Sequence, residues 1–266
     1  NSATSALHIS CLALDIGPGD NVWTSCISFV ASSNCALYCG ASVEFLDIDS
    51  STYNISISEL KKKLRQAKLD GNLPSVVIPV HLTGQSCDMK EIFKLSKEYG
   101  FRIIEDASHA IGGEYNNEKI GSCRYSDICV FSFHPVKIVT TGEGGMITTN
   151  NPKIFSKIQI LRSHGITRDQ NIMLKKSHGP WYYEQIGLGF NYRMTDFQAA
   201  LGLSQMKRLD KYVAKRNDLA DLYYNKLSGL PIVLPYQSDF SYSSRHLYII
   251  RLKLNEINKD RHDVFC

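Results

Sequence analysis

The chain has 266 residues, 43% of them hydrophobic and 21% charged, with a formal net charge of +4. That is enough apolar material for a large core in one or two domains. The small positive excess is dispersed rather than striped and no apolar run is long enough to span a bilayer, so neither nucleic acid nor membrane is expected as a partner.

The opening NSATSAL lacks an initiator Met and the basic start of a signal peptide, and the chain stops at DVFC, a few residues into what reads as a helix. It therefore reads as a piece of a longer protein. The first helix is expected over Asn1–Leu14, with Ser2, Thr4 and Ser5 in its first turn and Gly17-Pro18-Gly19 beyond its end. A strand over Val22–Ser25, a helix over Phe29–Tyr38 closed by Gly40, and a strand over Val43–Leu46 follow. Ser58–Ala67 is an amphipathic helix, Val76–Val80 a strand ending at His81, and Asp88–Tyr99 a helix ended by Gly100. Phe101–Glu105 is a strand tipped by Glu105-Asp106. Short strands alternating with helices imply βαβ units, an α/β fold and a mostly parallel sheet.

Beyond that point Ile128–Phe133 and Gly145–Thr149 read as strands, Asn151–Arg162 as a helix, and Ser163–Gly189 as a long polar and aromatic loop. Thr195–Met206 is a helix with an N-cap threonine, Lys207–Leu227 a long helix with one solvent face, and His246–Lys253 an alternating strand. The expected division is residues 1–206 as a large domain and 207–266 as a linking helix and the beginning of a smaller C-terminal one. The eight cysteines are scattered. Cys35 and Cys39 are one helical turn apart, but no nearby His or second Cys pair completes a metal set, so buried reduced thiols and no metal are expected. That cysteine usage suits the cytoplasm.

The stretch CVFSFHPVKIVTTGEGGM, from Cys129 to Met146, carries the chemistry. An apolar strand stops at His134-Pro135, and one lysine, Lys137, precedes a Thr-Thr-Gly-Glu-Gly-Gly turn. The glycines imply positive φ or close approach of backbone. Ser132 before the lysine and Thr140 and Thr141 after it are placed to meet a ligand with a carbonyl and a phosphate. In open parallel sheets ligands sit beyond the carboxyl ends of the strands, where Ser28, His81, Asp106, His109, Ser132 and Lys137 collect. Each of them alone is also explained as a helix cap or loop closure. Asp106, at the tip of an apolar strand, either caps a short turn or faces a cationic partner such as a protonated ring nitrogen. The Ser/Thr-rich start of the first helix is either an ordinary N-cap or a phosphate site.

These residues carry a resemblance. NSATSAL, SFVASSN, EDASHAIGG, FSFHPVKIVTTGEGG, RSHGI and GFNYRMTDFQAALG are similar to the sugar-nucleotide aminotransferases that depend on pyridoxal 5'-phosphate, over essentially the whole chain. The resemblance implies an aspartate-aminotransferase-like (fold type I) three-layer α/β/α domain, a cytoplasmic homodimer, and fuller chains that extend past both ends of this one. Within the family, NSATSALH, DASHAIGGEY, RSHGI, GFNYRM and SSRHLY are most similar to the enzymes of pseudaminic acid biosynthesis. Those aminate C4 of a UDP-linked 4-keto-6-deoxy-N-acetyl-L-hexosamine, with L-glutamate as donor.

By that resemblance Lys137 is the lysine that carries the cofactor and moves protons, and Asp106 pairs with the pyridine nitrogen. His109 stands near the ring's 3-oxygen and Phe29 stacks on the ring face. Ser2 and Ala3 form the phosphate-binding helix start, Ser132 supplies a phosphate-binding hydroxyl, and Asn191 reaches the phosphate in the neighbouring subunit, so that the homodimer shares its active sites. From the residues alone Asn191 reads as a helix lead-in satisfying its own backbone. Cys26, where Pro is common in the family, and Thr83-Gly84 depart from its pattern. A sugar dehydratase of related fold has histidine at the Lys137 position, and an inactive scaffold homologue is the alternative of another class.

Overall fold

The computed structural model describes residues 1–266. Helix α1 (Ala3–Ala13) begins at a capping box in which Ser2 and Ser5 each accept from the other's backbone N–H. Strand β1 (Asn21–Ser25), α2 (Ala31–Tyr38), β2 (Ser42–Leu46), α3 (Ile57–Asp70), β3 (Val76–Ile78), α4 (Met89–Tyr99) and β4 (Arg102–Asp106) follow in alternation. Ser56 and Asp88 cap α3 and α4, and Gly71 and Gly100 end them at φ of 68° and 86°, where a side chain would be strained. A small hairpin, β5 (Glu114–Tyr115) and β6 (Glu118–Lys119), precedes β7 (Ile128–Ser132) and β8 (Gly145–Thr148).

One six-stranded sheet has the order β2-β1-β3-β4-β7-β8. All its pairings are parallel except that of β7 with β8. Alternation along the strands divides the core in two. Val22, Val76, Ile78, Ile104, Ile128 and Val130 face α1, α2 and α5 (Pro152–Leu161). Trp23, Val77 and Ile103 face α3 and α4 on the other side. The result is three layers, α/β/α, with each fully buried aliphatic side chain stabilising by about 1.5–3 kcal/mol.

The long segment after α5 contains a two-residue pairing of β9 (Ile166–Thr167) with β10 (Glu184–Gln185), which the sequence reading had as loop. Thr195 caps α6 (Asp196–Met206) through a capping box with Gln198, and α7 (Leu209–Leu227) follows. Further on, β11 (Ile232–Val233) pairs with β13 (Arg251–Leu252), while β12 (Ser241–Tyr242) joins the edge of β5.

Three expectations need correction. The strand expected over His246–Lys253 is confined to β13, because Arg245 has φ of 52° and the backbone before it bonds elsewhere. Ser244 N–H donates to the Gly84 carbonyl (3.1 Å) and Leu247 N–H to that of Thr83 (3.2 Å). The strand expected over Val76–Val80 is interrupted at Pro79, which has no N–H to donate, so that β3 ends at Ile78 and Val80 rejoins β4 only as a single parallel bridge to Asp106. Of the cysteines, 11, 35, 87, 123 and 129 are buried, but Cys26 and Cys266 are exposed, and the packing of α1 on α2 brings Cys11 and His8 to Cys39. No helix is long and apolar enough to cross a membrane.

Candidate active site

Strand β7 ends at Ser132 and the chain turns at once, with Lys137 N–H donating to the His134 carbonyl (2.9 Å). The two threonines expected to face a ligand hold this turn instead. Thr140 Oγ1 donates to the Phe133 carbonyl (3.0 Å) and Thr141 Oγ1 to that of Glu143 (2.6 Å). The glycines that follow have a steric reason. A Cβ on Gly145 would lie 2.4 Å from the Ser2 carbonyl oxygen and 2.7 Å from the Ala3 nitrogen. Only glycine lets the start of β8 lie against the start of α1.

Between these elements is a cavity of about 270 Å³, lined among others by Ser2, Ala3, Phe29, Asp106, His109, Ser132 and Lys137. Lys137 reaches it from the turn after β7, half-buried and without a hydrogen bond or ion pair; burial lowers its amine pKa, against the opposing pull of Asp106. Asp106 enters from the end of β4 and is only 3% exposed. Its Oδ1 accepts from Ser108 N–H (3.1 Å), the expected turn-capping contact, and its Oδ2 accepts from Ser32 Oγ (2.6 Å) across from α2. Each oxygen keeps a lone pair, so the capping contact leaves room for a cationic partner.

Opposite, Ala3 and Thr4 open α1 and line the cavity, where first-turn N–H groups have no partner within the helix and attract an anion. Ser2 Oγ is held in the capping box, at 3.0 Å from Ser5 N–H. Ser132 Oγ accepts from His134 N–H at 3.4 Å and has its own proton to offer. Phe29 stands at the cavity, a residue 70% exposed whose ring offers a flat apolar surface to a ligand. His109 is pushed down to about 4, first by burial and then by the Lys137 ammonium. The cavity thus combines an amine with a lowered pKa, a buried carboxyl group, an anion-binding helix start and an aromatic platform.

Asn191 lies elsewhere. It is exposed, and its Oδ1 accepts from Arg193 Nε and Nη2 (both 3.2 Å). Ser28 is used locally, its Oγ donating to the Phe29 carbonyl (3.2 Å). His81, a strand-end residue like Asp106, points away from the cavity and is fully buried, with Nε2 at 2.7 Å from Glu105. The sequence reading missed Ser32 as partner of Asp106, and Ser108, His134 and Glu143 as cavity residues, whereas Thr4 lies in the helix start it read as a possible phosphate site. For Ser32 no local signal exists, because its role depends on where α2 crosses the end of β4.

Residues 1–265 match the model of the DegT/DnrJ/EryC1/StrS aminotransferase family. The chain is 40% identical over 253 residues to the UDP-4-amino-4,6-dideoxy-N-acetyl-beta-L-altrosamine transaminase of Campylobacter jejuni, covering 95% of this chain and 63% of that protein. It is 38% identical over 230 residues to a GDP-perosamine synthase of Caulobacter vibrioides, covering 86% of this chain and 57% of that protein. Among solved structures, Helicobacter pylori PseC, an aminotransferase involved in the biosynthesis of pseudoaminic acid, superposes with a TM-score of 0.83 at 32% identity, over 96% of this chain and 65% of that one. A Streptococcus pneumoniae protein in its PLP form gives 0.81 at 30% identity, over 96% and 66%. The three-layer architecture is that of the aspartate-aminotransferase-like, fold type I group, as expected. The chain spans 63–65% of the length of the first curated relatives it matches. On the family match and these identities, the chain belongs to the DegT/DnrJ/EryC1/StrS aminotransferase family.

Proposed function

We propose that the protein is a pyridoxal-phosphate-dependent aminotransferase acting on a nucleotide-linked keto sugar. In its finer form the substrate is a UDP-linked 4-keto-6-deoxy-N-acetyl-L-hexosamine, aminated at C4 with L-glutamate as donor and 2-oxoglutarate as product, in pseudaminic acid biosynthesis. The observation that carries this reading is the Lys137 amine, unpaired in a cavity whose other wall holds the buried carboxyl group of Asp106.

The residues fit the cofactor. Ala3 and Thr4 N–H groups with Ser132 would hold its phosphate, Asp106 its ring nitrogen, Phe29 its face, and Lys137 its carbonyl carbon. When bound, pyridoxal phosphate supplies a sink for the electron pair left when a C–H bond beside nitrogen breaks. Lys137, its amine pKa lowered by burial, is the group placed to accept that proton. In its protonated form the same amine would deliver a proton to sugar C4 from one face of the cavity, which would set the stereochemistry. Asp106 would keep positive charge at the ring nitrogen, and Phe29 would fix the tilt of the ring and keep water from one side of it. A lysine rather than histidine at position 137 favours transamination over dehydration.

A second reading rests on the GDP-perosamine synthase, whose identity to this chain is nearly as high as that of the altrosamine transaminase. It makes the substrate another nucleotide-linked keto sugar. A transamination assay against UDP-, GDP- and dTDP-linked 4-keto sugars separates the two. The finer reading expects the UDP-linked hexosamine to give the highest kcat/KM, and preference for a GDP-linked sugar contradicts it.

Asn191 belongs to the proposal as a residue for the neighbouring subunit of a cytoplasmic homodimer, supported by its exposure and its place outside its own cavity. Mixing inactive Lys137→Ala subunits with inactive Asn191→Asp subunits tests this. Each mixed dimer has one site with its own Lys137 and a wild-type Asn191 from the partner, so activity should return. No recovery, with subunit exchange confirmed by mass, rules the shared site out.

A further inference from the structure

We propose that His246 is a positioning residue for His109: its ring packs on the His109 imidazole and fixes that group in the cavity wall. What His109 then does for the reaction rests on the function proposed above; its placement by His246 does not.

The two rings are 4.5 Å apart between centroids and inclined by 39°. His109 lines the cavity, whereas His246 stands behind it. Both Nδ1 atoms are buried without a hydrogen-bond partner. A buried imidazole is ordinarily oriented by a hydrogen bond at one nitrogen, which also sets which nitrogen faces a ligand. His109 has no such bond at Nδ1, so its orientation depends on what packs against it, and His246 is the aromatic ring in that place.

His246 is itself held by its backbone. Arg216 Nη1 donates to the carbonyls of Arg245 (3.2 Å) and His246 (3.4 Å), and Asn217 Nδ2 to that of Ser243 (3.0 Å). Ser244 Oγ donates to the His109 carbonyl (2.8 Å), tying the segment directly to the residue it supports. Gly84 completes the fit. A Cβ there would lie 2.4 Å from Ser244 Oγ and 3.0 Å from the His109 carbonyl oxygen, at a φ of 106° that already favours glycine. The C-terminal segment is thus fastened to the cavity wall through backbone and ring together.

The electrostatics agree. His246 is pushed down to about 3 by burial, then by His109, Lys137 and Arg216, and His109 to about 4 by burial and Lys137. Two unprotonated rings stack without mutual repulsion and add no cation beside the Lys137 amine. Part of the burial of His109 is the His246 ring itself. Its removal should therefore let water reach His109.

The test is the titration of His109 followed by NMR of the ring, in protein without added cofactor. Wild type should half-titrate near 4. His246→Ala should raise this by about one unit or more, toward the ordinary histidine value. His246→Phe, which keeps a ring in place, should leave it low. Should the alanine variant not fold, His246→Gln, which removes the ring but fills part of its space, is expected to shift it the same way. Identical titration of His109 in wild type and the ring-less variant overturns the proposal, as does an equal shift in His246→Phe. In the cofactor-loaded enzyme, kcat of the ring-less variant should fall about tenfold with KM for the sugar nucleotide little changed, and His246→Phe should restore it. A moved titration with unmoved kcat upholds the placement and refutes the part given to His109 in the reaction.

Discussion

Glu105 and Asp106 are consecutive residues at the end of β4, and their side chains go to opposite faces of the sheet. Both are buried. Glu105 is enclosed on both oxygens: His81 Nε2 donates to one at 2.7 Å and Ser126 Oγ to the other. His81 is in turn fixed because its Nδ1 accepts from Cys87 N–H (3.2 Å). Asp106 also has two donors, yet it borders a cavity across which stand an unpaired amine and a helix start. Chemically similar groups one residue apart thus belong to a closed polar network and to an open one. Burial and strand-end position do not distinguish them; what lies beyond their hydrogen bonds does.

The comparison predicts different consequences on the two faces. The largest is expected for Lys137→Ala, which should abolish both half-reactions while noncovalent cofactor binding persists through the helix start and Ser132. Near-normal turnover in that variant would remove Lys137 from the chemistry. Next is Asp106→Asn, which keeps the volume but not the carboxylate. Turnover should fall by at least about 10²-fold, with KM for the sugar changed much less, because a charge interaction in a site shielded from water contributes several kcal/mol in the transition state. Wild-type turnover in Asp106→Asn would reduce Asp106 to its turn-capping contact with Ser108.

On the closed face the effect should be on stability alone. His81→Ala leaves a buried carboxyl group short of a donor and should cost about 1–3 kcal/mol, read as a lower urea midpoint at unchanged slope. In the fraction that remains folded, the absorbance of bound cofactor should be that of wild type. If His81→Ala leaves stability intact but loses the cofactor, the two faces are not separate.

Much of this was legible in the sequence. The alternation of strand and helix, the cap at Thr195 and the stops at Gly40 and Gly100 come from local rules, and the elements formed close to where those rules put them. Lys137, Asp106 and Ser132 were visible as polar residues at strand ends. His81 shared that position and was misplaced, because its face depends on the break after β3 at Pro79 and on the chain turning back through Cys87. Thr140 and Thr141 were misread because their hydroxyls close a turn around carbonyls that no spacing rule identifies. The contacts of Ser32 with Asp106 and of His246 with His109 were invisible, since each partner arrives from an element distant in sequence.

A smaller difference between the two faces should appear in the pH dependence. Burial lowers the Lys137 amine pKa and the Asp106 charge opposes that shift. Removing the charge in Asp106→Asn should lower it further, so that reaction of Lys137 with the cofactor aldehyde reaches its plateau at lower pH than in wild type. Movement to higher pH would mean that the two groups do not sense each other. In His81→Ala the same profile should not move.

If Lys137 is the group that takes the cofactor, covalent trapping should find it there. Protein incubated with pyridoxal phosphate, reduced with borohydride and digested should carry the added cofactor mass on the peptide that contains Lys137, and on no peptide once Lys137 is replaced by Ala. Stoichiometric label on another lysine, or the same labelling in Lys137→Ala, would place the cofactor elsewhere.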